Sequence, residues 1–386
     1  MSTRFIMGLV LGLTACRVGF DLQGRPGPAD DPGGPLDGAE PPGALDAAVP
    51  LPKVECRPGQ RAVLPGHFAS LAESAGRAVV GYVQADQSMF VQGFDADGQL
   101  AGPPIRLIDG VASSASARNL RLTAGDDDQV TASLDVTVDG WSTVLTATIT
   151  PQLTMPAPLQ RLTSPGGHGR EAVVLQRGPQ FIAVFRLDIP DARQFFLVSQ
   201  LFDAAWQGQP PDQQDANLGS PSLIVPVGRG YLIQTDRNLL SSDAQGALAI
   251  GQATSGFDQV ALVEGRPHRE ALLVRSAGGI IQRVVLDVGG RETGHTDVIT
   301  GMDTIRDLHA RYAQASELAT WQDHAQPYVA RSVGLAPWTP VPVPISGAKL
   351  APVSVVGGRA GPLVFVERDA AGLNDREVVV VQTCES

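Results

Sequence analysis

The sequence predicts an all-β fold, a β-propeller of seven blades, and three observations carry that prediction. Short strand signals recur from residue 60 to residue 383, separated by turn residues rather than by helical periods. They fall into groups spaced about 47 residues apart, the size of a four-stranded blade. Two cysteines, Cys56 and Cys384, stand at opposite ends of that region, where a ring would bring the chain ends together. Six or eight blades also fit, because the third and fourth groups are less clearly divided. A pair of β-sandwiches would require a second linker, and none is visible after residue 56.

The strands follow in order. In the first group, 78–83 and 89–94 flank Ala85-Asp86-Gln87. Asp97-Gly98 makes the next turn, since glycine reaches positive φ without a steric cost, and 105–107 follows. The second group holds 130–138, 144–149 and 159–162; the third holds 172–175, 181–187 and 195–201. The fourth holds 222–227, 231–235 and 248–250, and the fifth 260–263, 271–274, 280–286 and 298–299. The sixth holds 307–312, 317–321, 328–333 and 341–345. Residues 302–314 tolerate a helix, but Arg306-Asp307-Leu308-His309-Ala310-Arg311-Tyr312 fits a strand period better. The last group, 352–356, 363–367 and 377–383, is one strand short. Residues 60–64 supply the fourth, so the two chain ends close the ring by strand exchange. That pairing would set Cys56 beside Cys384, and an even pair in an oxidising compartment predicts a disulfide.

Ahead of the propeller the chain changes character. Arg4 precedes an apolar run from Phe5 to Leu13, too short to span a bilayer. The segment Leu13-Thr14-Ala15-Cys16 resembles the lipobox of bacterial lipoprotein signal peptides. The resemblance implies cleavage before Cys16, lipidation of its thiol, palmitate on the new amino terminus, and a bilayer as partner. Arg17, rather than an acidic residue, fits sorting to an outer membrane, with the protein facing the periplasm or the cell surface. Residues 21–55 contain no aromatic residue and are dense in proline, glycine and aspartate, a composition that cannot offset the entropy of ordering. The expected organisation is a signal peptide over 1–15, a lipidated cysteine and disordered tether over 16–55, and a propeller over 56–386. The propeller resembles divergent bacterial propeller lipoproteins over about residues 56–384, through turns such as Phe94-Asp95-Ala96-Asp97-Gly98-Gln99-Leu100. That resemblance brings no catalytic residue with it.

Linear motifs of catalysis are missing. There is no Gly-x-Ser-x-Gly elbow, no His-Glu-x-x-His pair and no phosphate loop. The six histidines, His67, His168, His268, His295, His309 and His324, are scattered without ligand-like spacing, and no metal site is expected from them. Asp126-Asp127-Asp128 reads as a solvated turn, with Asp126 and Asp128 as the candidates if it holds calcium; no other cofactor is implied. The flexible run Gly166-Gly167-His168-Gly169 reads as an interblade connection. Trp321 sits in a strand and should be packed. Trp141, Trp206 and Trp338 lie at turns or beside prolines and are the candidates for contacting a partner.

A net charge of −11, without clusters of Lys or Arg, argues against nucleic acid as a partner. These readings favour a noncatalytic module that binds an envelope protein or glycan. Two alternatives stand beside it. One is a propeller hydrolase or lyase whose carboxylates and histidine meet at the axis; the other is a structural envelope-assembly protein.

Overall fold

The computed structural model describes residues 56–109, 115–138, 141–162, 168–189, 194–214, 218–253, 257–263, 271–313, 316–333, 336–347, 349–370 and 376–384, a few of these by backbone alone. Cys16, the tether, Gly166, Gly167 and His268 lie outside the described residues, as do the side chains of Asp126 and Trp141.

Strand β1 (Gly59–Pro65) is the first element. Blade 1 is β2 (His67–Ser74), β3 (Arg77–Val83), β4 (Met89–Phe94) and β5 (Ile105–Ile108). Blade 2 is β6 (Ala115–Ala124), β7 (Val130–Val138), β8 (Trp141–Ile149) and β9 (Gln160–Arg161). Blade 3 is β10 (His168–Arg177), β11 (Gln180–Ile189), β12 (Gln194–Phe202) and β13 (Asp212–Gln214). Blade 4 is β14 (Pro221–Val227), β15 (Gly230–Thr235), β16 (Asn238–Ser242) and β17 (Leu248–Ala253). Blade 5 is β18 (Gln259–Leu262), β19 (Ala271–Ala277), β20 (Ile280–Leu286) and β21 (Glu292–Ile299). Blade 6 is β22 (Arg306–Ala313), β23 (Ser316–Asp323), β24 (Gln326–Val333) and β25 (Thr339–Pro342). Blade 7 is β26 (Ala351–Gly358), β27 (Gly361–Asp369) and β28 (Arg376–Gln382), completed on its outer side by β1. The chain is a seven-bladed β-propeller. Six and eight blades are excluded, and residues 306–313 form a strand.

Each sheet buries both faces, because a neighbouring blade covers each side. Successive side chains on a strand point to opposite faces, so one hydrophobic run can serve two interfaces. In β28, Val378 and Val380 pack toward blade 1, while Val379 and Val381 pack toward blade 6. All four are 0% exposed. Blade 3 repeats the device, with Ala172 and Val174 facing blade 2 and Val173 and Leu175 facing blade 4. The described core divides into seven clusters, one for each interface between consecutive blades.

Four blades share a turn between their third and fourth strands. Asp95 Oδ1 accepts hydrogen bonds from the backbone N–H groups of Asp97 and Gln99. Asp203 does the same for Ala205 and Gln207, Asp243 for Gln245 and Ala247, and Asp287 for Gly289 and Arg291. In each turn the third residue after the aspartate has positive φ: Gly98, Trp206, Gly246 and Gly290. Glycine suits that conformation; Trp206 adopts it at φ 59° while its ring stacks on Phe181. The turn read at Asp95–Gln99 is therefore a recurring structural repeat.

The ring closes where β1 pairs antiparallel with β28, from Gly59 opposite Gln382 to Pro65 opposite Glu377. Cys56 and Cys384 are disulfide-bonded beside that seam, with Cα atoms 5.7 Å apart. Gly361 is obligatory here: at φ 150° an added Cβ would lie 2.3 Å from the Thr383 carbonyl oxygen. The bridge encloses nearly the whole propeller, so it removes much of the freedom of the unfolded chain. Replacing both cysteines by serine should lower unfolding free energy by about 4–6 kcal/mol on the chain-entropy account. Denaturant titration of the oxidised protein against the double variant checks this; coincident midpoints would show that β1 alone holds the ring.

Candidate active site

Every blade begins at the axis, and the innermost strand exposes one hydrogen-bonding edge there. Buried backbone donors require partners, and side chains of the preceding blade supply several. Ser70 Oγ accepts the Leu122 N–H at 3.0 Å, and Asp135 Oδ2 accepts the Glu171 N–H at 2.7 Å. Gln234 Oε1 accepts the Leu262 N–H at 2.7 Å, and Glu367 Oε2 accepts the Phe68 N–H at 3.0 Å. These polar residues stand where hydrophobic alternation would be expected, and they fix one blade against the next.

The innermost strands are also irregular. Register shifts interrupt β6 between Arg118 and Arg121, β10 between Arg170 and Val173, and β22 between Arg306 and His309. In each, the residue after the first arginine is left-handed: Asn119 at φ 53°, Glu171 at φ 56° and Asp307 at φ 50°. A bulge re-aims the side chains that follow it. Two of them, Arg121 and His309, line a cavity of about 340 Å³ among the innermost strands. Its walls also carry Ser70, Ser222, Gln234, Gln259, Arg311 and Ser354, amid backbone and small apolar groups.

The electrostatics are cationic. Although acidic residues outnumber basic ones in the chain, 40 to 29, the described walls hold two arginines, one histidine and no carboxylate. Arg121 Nη1 donates to the Ala69 carbonyl at 3.5 Å, and Arg311 Nη2 donates to the Leu71 carbonyl at 3.1 Å. Burial pushes the His309 imidazole down to about 4, so it is neutral across the ordinary pH range. Carboxylates stand behind the arginines. Asp135 is 5% exposed and pushed up to about 6, chiefly by burial, against the opposing hydrogen bonds from Asn119 and the Glu171 N–H. Burial likewise raises Glu73, while Arg311 pulls it down.

Other expected site residues do not join this cavity. Trp338 is 5% exposed and packs with Trp321 between blades 5 and 6, which corrects its reading as a partner contact; the apolar interface absorbs it. Trp206 is half-buried, one ring face stacked on Phe181 with centroids 4.1 Å apart. Asp128 spends one carboxylate oxygen on the Ala75 N–H, 3.1 Å away, joining blade 2 to blade 1. The exposed His67, His295 and His324 pair with the buried Glu367, with Glu292 and with Asp303. Among the described residues, no three His, Cys, Asp or Glu side chains gather as a metal-binding set. A second cavity of about 280 Å³ beside Cys384 is apolar apart from Arg331, Ser332 and two threonines, and it holds no acid–base pair.

No protein-family model matches this chain, and no curated protein does. Solved structures do match. A virginiamycin B lyase from Staphylococcus aureus is 11% identical over 83% of this chain and 98% of that one, at a TM-score of 0.50. A streptogramin B lyase is 9% identical over 84% of this chain and 97% of that one, also at 0.50. These likenesses show the propeller fold. They also overturn the expectation of a noncatalytic module, which rested on the missing linear motifs. Two propellers that match this chain over nearly their full length are lyases, so on this architecture the absence of such a motif does not argue against catalysis. The residues that matter come from two blades, Arg121 from β6 and His309 with Arg311 from β22, and only the repeated Arg-(Asn/Glu/Asp) step ahead of each bulge signalled them in sequence.

Asp135 gives a test of the site's electrostatics. Its folded pKa lies above its unfolded value, so between about pH 4 and 6 the folded protein binds the extra proton. Stability should therefore fall by about 2–3 kcal/mol as pH rises through that window. Asp135→Asn should lack this component, measured as the wild-type minus variant unfolding free energy across pH 4–8. A pH-independent difference would show that Asp135 is ionised throughout.

Proposed function

We propose that this protein is a propeller lyase, catalysing β-elimination in its axial cavity. The observation that carries the reading is a neutral imidazole, His309, sharing the cavity walls with the guanidinium groups of Arg121 and Arg311. Elimination needs a base to take a proton from the carbon beside a carbonyl, and a cation to stabilise the enolate oxygen that forms. His309 takes the proton. The released electron pair forms the carbon–carbon double bond, and the bond to the leaving group on the adjacent carbon breaks. Arg121 and Arg311 hold the developing negative charge throughout. Hydrolysis by a carboxylate pair finds no such pair on the described walls, and Cys56 and Cys384 are committed to the disulfide. The lyase activity named for the matching propellers supports elimination over hydrolysis.

His309→Gln should reduce turnover by about 10²–10⁴-fold, followed as the ultraviolet absorbance of the new conjugated double bond. In the wild type, kcat/KM should persist to mildly acidic pH and fall as His309 is protonated near pH 4. Undiminished turnover in His309→Gln would remove it from the base role.

The same proposal places the enzyme outside the cytoplasm, lipid-anchored through Cys16 at an outer membrane, with residues 16–55 as its spacer. The Leu13-Thr14-Ala15-Cys16 sequence supports the anchor, and the Cys56–Cys384 bridge supports an oxidising compartment. Metabolic labelling with an alkyne fatty acid should mark the protein and be lost in Cys16→Ser. Equal labelling of both forms would exclude that cysteine as the attachment point.

A further inference from the structure

We propose that the free edge of β2 is a carboxylate-binding subsite, in which Arg121, Ser70 and Arg311 together hold an acidic group of the substrate. The choice of a carboxylate rests on the elimination reading, which needs a carbonyl beside the acidic carbon; the choice of an anion rests on geometry alone. Arg121 comes from blade 2 and Arg311 from blade 6, yet both donate to blade 1, to the carbonyls of Ala69 and Leu71. Both acceptors lie within three residues of one another on β2, Ala69 at the register shift between Phe68 and Ser70 and Leu71 just beyond it. Two guanidiniums are therefore drawn to one short stretch of strand edge, where a single carboxylate can accept from both.

Ser70 lies between those two carbonyls. Its Oγ accepts the Leu122 N–H at 3.0 Å, which orients the hydroxyl and leaves its hydrogen as a third donor. Asp135 and Glu171 behind Arg121, and Glu73 near Arg311, draw on the guanidiniums from outside the cavity walls. The anion would enter from the cavity side, where the described walls bear no competing carboxylate. His309 stands on the same walls, so an acid held at β2 places its neighbouring carbon in the cavity that the base lines.

The test uses the full-length protein with acetate and sulfate as probes, read as the rise in melting temperature over chloride at equal ionic strength. Acetate should raise the melting temperature of the wild type by a site-dependent increment beyond the general effect of excluded salts. The effect should disappear in Arg311→Gln and Arg121→Gln, shrink in Ser70→Ala, and return in part in Arg311→Lys. His309→Gln should keep the acetate effect while losing turnover. A wild type indifferent to acetate, or Arg→Gln variants that keep its effect, would overturn the subsite. A sulfate increment that is lost in the same Arg→Gln variants and exceeds the acetate one would overturn the carboxylate assignment. Normal turnover in His309→Gln, with acetate binding still lost in the arginine variants, would reject elimination and leave the anion site standing. If the Arg→Gln variants do not fold, Ser70→Ala and Arg311→Lys decide, since neither removes a charge.

Discussion

Closure of the ring rests on the antiparallel pairing of β1 with β28, and the packing between blades depends on it. Without β1, blade 7 would end in an unpaired outer edge, and Leu64 would leave the cluster that joins blades 7 and 1. Each interface buries side chains from both of its blades, so opening one allows its neighbours to splay. The arrangement explains why the core consists of seven clusters strung around the ring rather than one central mass. It also leaves the centre available for polar chemistry.

That centre is where local rules are broken. Left-handed Asn119, Glu171 and Asp307 interrupt strands that would otherwise be regular, and arginine and histidine occupy positions that strand alternation would give to solvent or core. Such departures cost stability, and they concentrate where function is built. The hydrogen bonds from Ser70, Asp135, Gln234 and Glu367 to neighbouring blades offset part of that cost and fix the geometry of the walls.

The same departures set the limits of what could be read from sequence. Blade number, the exchanged strand and the Cys56–Cys384 bridge were legible, because hydrophobic alternation and turn residues report strands that are covered on both faces. Strands β2, β6, β13 and β16 were not; in β6, Arg118, Asn119 and Arg121 disguise the alternation at the axis. The cavity was illegible for a further reason. Arg121 is distant in the chain from His309 and Arg311 and meets them only through ring geometry, whereas the conspicuous indoles of Trp206 and Trp338 are engaged in packing.

The placement of the disulfide has a mechanical consequence. Cys56 precedes β1, and Cys384 follows β28. A pull on the chain upstream of Cys56 passes through the sulfur–sulfur bond into the other end of the polypeptide. It does not load the hydrogen bonds of β1 one after another, as peeling an edge strand would. A propeller tugged by its leading segment would thus transmit force through a covalent bond, and the seam would be sheltered from unzipping.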